Sequence, residues 1–521
     1  MGLNKKVKLI QEQGMPVTQA KDLISENISL TADVVVIGSG AGGSVVAYEL
    51  AKAGKNVVIL EAGPYVPSTE FNEHFPEMLE KLYEDRGAQI TKSGDLTILQ
   101  GRCVGGSTVV NGAVCFRTPD VILKKWNTEF GLTDLTKENL APYFEKVEKN
   151  LSVHTNQAHE VANPSRLLEK GAEALGFSHK PLQRNIKQCA LTGHCLSGCA
   201  TDRKQSMLVT YLPWALSHGA KLYADTKVQT IEQQNGKVTA VKAVVSDPDS
   251  GNAVANLTVN AEVVVTAAGA VQTPLLFLQS GVGNSSGLVG KNFACHPSTL
   301  MMAEFGEDVY PWRGALLGSY IDEFEHPDKG GFILEGGGAG PVEISMAVEL
   351  GTGEEYVKRM EKAKNICSMV TLIHDRNVGQ IRWDGDKKVI DYDIAEEDFP
   401  AMKNSIKAAA KVFFAAGAKH VFLPTVKKTV VSSLDQLDHE IEQLENQPHT
   451  LRMVSYHPQG TMRMGPNSAS SVVNEKGESH DVKGLYVADA SLFPTSVIVN
   501  PQITIYALAS YIADQLLLNG K

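Results

Sequence analysis

Short, unbroken apolar runs frame a helical pattern near the start of the chain. Val34-Val35-Val36-Ile37, after Asp33, is apolar at every position and stops at Gly38. A strand covered on both faces reads this way, whereas a half-exposed strand alternates. Residues 41–53 follow with apolar positions at helical spacing (Val45, Val46, Leu50) and close at Gly54. Asn56-Val57-Val58-Ile59-Leu60 repeats the first run, so strand, helix and strand form one βαβ unit. Farther on, 65–100 is irregular with helical pieces, and 136–175 carries helical spacing. Leu222–Ala224, Val228–Gln233, Val238–Val245 and Leu257–Val259 predict short strands, and Val263–Thr266 a buried one. Residues 297–450 mix strand and helix patterns without another dinucleotide motif. Leu485–Asp489 predicts a last strand, and 502–518, with few charges, a long closing helix.

Composition narrows the class. At 521 residues the chain is too long for one simple core, and two structural units are expected. Apolar residues at 43% and charged residues at 21% suit a globular protein. A net charge of −10 with no basic stripe argues against nucleic-acid binding. No apolar stretch is long enough for a membrane-spanning helix. Met1-Gly2-Leu3-Asn4-Lys5-Lys6 leads into Gln11-Glu12-Gln13 instead of an apolar signal core, and Lys6 stands where a myristoylation motif needs Ser or Thr. The default expectation is cytoplasmic, with export alongside a signal-bearing partner as the other route.

Gly38-Ser39-Gly40-Ala41-Gly42-Gly43 is a G-x-G-x-x-G between the first strand and the helix. Gly38 permits the tight turn. Gly40 lets the backbone approach a pyrophosphate resting on the helix N-terminus that Ala41 begins, and Gly43 lets helix and strand pack closely. Glu61 ends the second strand, where a carboxylate accepts the hydroxyls of an adenosine ribose and disfavours NADP. The fingerprint alone does not separate FAD from NAD.

Four further segments bear on that choice. They are Gly101-Arg102-Cys103-Val104-Gly105-Gly106-Ser107-Thr108-Val109-Val110-Asn111-Gly112, Gly269–Leu276 with Ser280-Gly281, Tyr456-His457-Pro458-Gln459-Gly460-Thr461, and Asp489–Thr495 with Asn500-Pro501. Together and in this order they resemble the signatures of the glucose-methanol-choline (GMC) oxidoreductases. The resemblance implies FAD, with Gly105, Gly106 and Ser107 against the isoalloxazine and Asn111 nearby. It puts Asp489 and Ala490 at the pyrophosphate and flavin end, and the Val228 backbone at the adenine. Some relatives bind flavin covalently through a histidine in the first signature; 101–112 has none, so noncovalent FAD is expected.

The motifs fall at both ends and in the middle of the chain. The expected fold is therefore α/β (α+β overall), with a Rossmann-type FAD-binding domain assembled from discontinuous segments 30–116, 200–296 and 455–521. Segments 117–199 and 297–454 form a substrate or cap domain with a mixed or antiparallel sheet, helices and a cysteine-rich loop.

Hydride removal from an alcohol carbon needs the hydroxyl proton removed, and histidine is the usual base at neutral pH. His457 matches the family's catalytic histidine. The second family position is Asn500, which cannot take a proton but can hydrogen-bond the substrate oxygen. His296, before Pro297, is expected to be structural.

Three of the seven cysteines, Cys189, Cys195 and Cys199, crowd into one glycine-containing segment spaced C-x5-C-x3-C. A disulfide is disfavoured in a reducing compartment. Zinc with His194 is geometrically awkward, since His194 adjoins Cys195 and no C-x2-C pair exists. Ordinary thiols and an iron–sulfur cluster remain. The spacing is similar to that of bacterial FAD glucose dehydrogenases, which implies a three-iron (3Fe-4S) cluster. Such a cluster favours a dehydrogenase handing electrons to an external acceptor, a cytochrome or a quinone, over an oxidase. Segments Lys204–Pro213 and His374–Ala418 resemble long-chain alcohol oxidases and imply a hydrophobic or aromatic alcohol. An oxygen-using oxidase and a non-redox FAD lyase are the alternatives.

Overall fold

The computed structural model of the chain describes residues 7–8, 10, 14–23, 26–348, 352–427 and 429–519. The N-terminal positions Met1–Lys6 and Gln11–Gln13, read above for targeting, lie outside the described residues.

The apolar runs become the centre of a six-stranded parallel sheet. Its order is Val17–Thr18, Lys221–Tyr223, Val57–Leu60, Val34–Ile37, Val263–Thr266 and Leu485–Val487. Val36 lies between Ile59 and Val265, and every residue of Val34–Ile37 and Val57–Leu60 is buried. One face carries helix Ala41–Lys52, which packs on the closing helix Gln502–Asn519; that helix also meets Lys137–Asn150. Burial between helices and sheet is why the closing helix has so few charges. The Val17–Thr18 edge strand and the strand Asn27–Thr31 add elements that the apolar pattern does not announce. Asn27–Thr31 joins Thr226–Gln234, Lys237–Ser246 and Ala253–Asn260 in a separate four-stranded sheet.

The other large sheet has nine strands and is mostly antiparallel. Its path runs through Val430–Val431, His420–Phe422, Ser298–Glu304, Ile366–Ile373, Phe332–Gly337, Leu317–Ile321 and His179–Pro181. Met453–Ser455 pairs with Ser298–Glu304 and, in parallel, with Leu96–Ile98. Leu96–Ile98 thus joins this sheet although its sequence neighbours serve the dinucleotide unit. Helices Asn163–Leu175 and Phe399–Ala416 cover the sheet over a separate apolar core. The longer helix stops at Gly417, in the left-handed conformation that glycine adopts without a Cβ penalty. The strand Met453–Ser455 delivers the chain to Tyr456 and His457 where the two large sheets meet.

Candidate active site

A cleft of about 1080 Å³ runs between the sheets. Its wall includes Gly38, Gly40, Ala41, Glu61, Val228 and His457, with Gly106, Ser107, Asp489 and Ala490 farther along. Ten of the residues expected at the site from sequence are therefore brought to one cavity.

Glycines shape the fingerprint end. A Cβ on Gly42 would overlap the Ala488 carbonyl oxygen, and one on Gly43 would overlap that of Gly38. Gly43 packs the helix on its strand as expected, and Gly42 does the same against the last strand. Gly40 differs: its nearest atom is the Gly106 Cα at 3.9 Å, so a side chain there would occupy the cleft itself. Helix Ala41–Lys52 starts with no side-chain cap and no acidic residue in its first turn, leaving backbone N–H groups for an anion. This cradle fits the pyrophosphate of a dinucleotide.

Ser39 ties the two glycine-rich turns together. Its N–H and Oγ donate to one Glu61 oxygen at 2.9 and 2.7 Å, and Oγ accepts from the Gly105 N–H at 3.0 Å. The other Glu61 oxygen accepts from Gly63 N–H at 2.9 Å. Burial pushes the Glu61 carboxyl up, and these hydrogen bonds draw it back down. Glu61 thus shapes the turn while lining the cleft. Asp489 plays a similar part: it accepts from Gly269 N–H at 2.9 Å, Thr273 Oγ at 2.6 Å and Ser491 N–H at 2.8 Å. That anchors helix Gly269–Ser280 and the Ala490–Leu492 turn beside the cleft. Asn111 stands behind the wall, its amide donating to Gln502 at 2.9 Å.

The chemical end is built by strand pairing. Ser298 lies opposite Val454, and Ala294 bridges Gln459. That antiparallel register sets His296 beside Tyr456 and His457. The two Nδ1 atoms are 3.2 Å apart, with the rings edge to face. Burial alone pushes the His457 imidazole down to about 3, so it is neutral at ordinary pH. His296 is wholly buried and is also pushed down, by burial and then by His457 and His374. Asp375 fixes it from behind. This buried carboxylate accepts from the N–H groups of Cys295 and His296 and from Tyr392 and Ser496, all between 2.9 and 3.1 Å. Sequence reasoning missed Asp375 and took His296 as structural; the pairing of distant strands joins them to His457. Asn500 is set behind the cleft wall next to Pro501, with its Oδ1 buried and unpartnered.

Cys189, Cys195 and Cys199 share the loop after Gln183–Asn185. Leu191 N–H donates to the Cys189 sulfur and Lys204 N–H to that of Cys199, both at 3.4 Å. The expectation of a metal set is not met by the side-chain placement. Among the described residues, no three His, Cys, Asp or Glu side chains converge as a metal-holding group. Instead the loop is pinned through Lys204, which sequence inspection did not single out. The Lys204 ammonium is buried and donates to the carbonyls of Val109, Asn111 and Cys195 at 2.7, 2.8 and 2.8 Å. It joins the cysteine loop to the first-signature segment.

A parallel dinucleotide sheet opening on a histidine-bearing second sheet suits an oxidoreductase that holds a dinucleotide cofactor. The GMC oxidoreductase models match residues 79–298 and 375–509, and a pyridine nucleotide-disulphide oxidoreductase model matches 5–101. An uncharacterised GMC-type oxidoreductase of Mycobacterium tuberculosis is 34% identical over 496 residues, covering 95% of this chain and 77% of that one. A long-chain-alcohol oxidase of Arabidopsis thaliana is 28% identical over 520 residues, covering 95% of this chain and 69% of the other. The crystal structure of a formate oxidase superposes with a TM-score of 0.71 at 17% identity, over 94% of this chain and 99% of that one. The chain belongs to the GMC oxidoreductases and is an FAD-dependent oxidoreductase. Among the described residues no helix is long and apolar enough to cross a membrane.

Proposed function

We propose that this protein oxidises a primary or secondary alcohol to the aldehyde or ketone, with His457 as the base and Asn500 orienting the substrate oxygen. The observation that carries the reading is a neutral imidazole on the cleft wall whose far nitrogen is already held by His296. Noncovalent FAD, seated on the Gly38–Gly43 cradle with Glu61, Val228, Gly105–Ser107, Asp489 and Ala490, supplies the hydride acceptor.

The two facing Nδ1 atoms share one proton. With it on His457, the Nε2 lone pair of that ring is free to take the substrate hydroxyl proton; with it on His296, His457 Nε2 carries hydrogen and is no base. The first arrangement is the competent one. Asp375 fixes the backbone of His296 and thereby the place of its ring beside His457.

Similarity to long-chain-alcohol oxidases, in the Lys204–Pro213 and His374–Ala418 segments and over the whole chain, supports a hydrophobic or aromatic substrate. The same similarity favours a second reading for the electron acceptor, namely oxygen. The first reading is an external carrier, a cytochrome or quinone-linked protein, reached through an iron–sulfur cluster on Cys189, Cys195 and Cys199. Its support is the crowding of three thiols beside the first-signature segment. Their present placement does not fit a cluster, and no step of the reaction is routed through one. Iron and acid-labile sulfide analysis of anaerobically purified protein tests the cluster. Anaerobic mixing with a panel of aliphatic, aromatic, steroid and sugar alcohols tests the activity: an alcohol that bleaches the flavin band is expected, and no bleaching by any member contradicts the reading.

A further inference from the structure

Glu335 sits mid-strand in Phe332–Gly337, opposite Tyr320 on one neighbour and Val370 on the other. It is 2% exposed, and its Oε1 has no hydrogen-bond partner. The polar groups that act on it or feel its charge include the Asn500 amide and two phenols, Tyr320 and Tyr456. No cation among the described residues offsets its charge. Asn500 Oδ1 is likewise buried without a partner. Two neighbouring side chains thus each strand an acceptor, which a folded protein rarely tolerates.

A proton on Glu335 gives the Asn500 oxygen a partner. A carboxylic acid donates to an amide oxygen, and a half-turn of the Asn500 amide exchanges its oxygen and nitrogen without changing its shape. The freed N–H then points away from Glu335. An ionised Glu335 would do the opposite. It would hold the amide N–H and leave only the carbonyl oxygen for the substrate, and that oxygen repels the negative charge that develops as His457 removes the proton.

We propose that Glu335 is a positioning residue for Asn500: as a neutral carboxylic acid it donates to the Asn500 carbonyl oxygen and turns the amide N–H toward the substrate oxygen. The proposal rests on reading His457 and Asn500 as an alcohol-oxidising pair. Burial without a cation pushes the Glu335 carboxyl up to about 7, with the Asn500 hydrogen bond pulling the other way. The neutral form is therefore reached close to neutrality, and the rate of flavin reduction falls as pH rises through that value.

The test has two arms on the FAD-loaded protein. Infrared difference spectra between acid and alkaline solution should show the carbonyl stretch of one protonated carboxyl, lost as pH rises through about 7 and absent from Glu335→Gln. No such band, or a band that persists in Glu335→Gln, overturns the proposal without reference to any substrate. In the second arm, Glu335→Gln keeps a neutral donor for Asn500 and Glu335→Leu does not. Flavin reduction by a bleaching alcohol should be about tenfold or more faster in Glu335→Gln than in Glu335→Leu. Glu335→Gln should also lack the alkaline limb of the wild type. Equal rates in the two variants, or an unchanged limb in Glu335→Gln, overturn the positioning role. If no alcohol reduces the wild type, the reading of the site fails, while the infrared arm still decides whether Glu335 holds the proton.

Discussion

His296 Nδ1 lies 3.2 Å from His457 Nδ1, and one proton serves both atoms. Removing His296 frees His457 to adopt either tautomer and to swing from its angle. His296→Leu should lower the rate of flavin reduction by about 10- to 100-fold, with the substrate concentration for half-saturation little changed. His296→Gln, whose amide oxygen can accept from His457, should recover part of the loss. Stopped-flow reduction under argon distinguishes these outcomes. Equal rates in all three proteins would mean that His296 does not orient the base.

The fingerprint glycines separate folding from cofactor binding. Gly42→Ala drives a methyl into the Ala488 carbonyl, so either helix Ala41–Lys52 or the last strand must move. A loss of about 3 kcal/mol or more is expected, read as a lower melting temperature. Gly40→Ala meets only open cleft, so the apoprotein should melt near the wild-type temperature while FAD affinity falls sharply. Equal FAD affinity in Gly40→Ala and wild type would remove the cradle from the account.

Two buried imidazoles should cost stability in acid. His457 and His374 are held down by burial, to about 3 and about 4. Their unfolded counterparts titrate near 6.5. Between those values the unfolded chain binds more protons at these two sites than the folded one, so their contribution to stability rises with pH and is lost as pH falls. Glu335 and Asp375, raised to about 7 and about 6, contribute with the opposite sign. Denaturant midpoints measured from neutral pH downward should therefore fall further in wild type than in His374→Phe through this window, and identical profiles in the two proteins would contradict a neutral buried His374.

Lys204 offers a structural check. Lys204→Met keeps the length of the side chain but leaves the carbonyls of Val109, Asn111 and Cys195 without its ammonium. A cost of about 2–4 kcal/mol is expected, with faster proteolysis of the cysteine loop than in wild type. Unchanged proteolysis would show that the loop is anchored by other contacts.

Much of the cofactor half was legible in the sequence because its signals are local. Val34–Ile37, the glycine turn, helix Ala41–Lys52 and Val57–Leu60 are contiguous, and each carries its own periodicity or turn requirement. The Val17–Thr18 and Asn27–Thr31 strands were not legible, being too short or too polar to stand out. The chemical end divides the same way. His457 was found through a motif, but its partners were not, because His296, Asp375 and Glu335 reach the site through antiparallel registers between strands far apart in sequence. The cysteines are a different case: close spacing suggested a metal set, and among the described residues no three such side chains form a metal-holding group, while Lys204 ties their loop to the first-signature segment.

The central claim, that His457 is the base of an alcohol-oxidising flavoenzyme, is tested most directly by single-turnover reduction of the bound flavin. Wild type and His457→Ala, both loaded with FAD, are mixed anaerobically with the alcohol that bleaches the wild type fastest. The account predicts that His457→Ala retains its flavin spectrum and is reduced about 10²- to 10⁴-fold more slowly. Reduction of His457→Ala at the wild-type rate would contradict it.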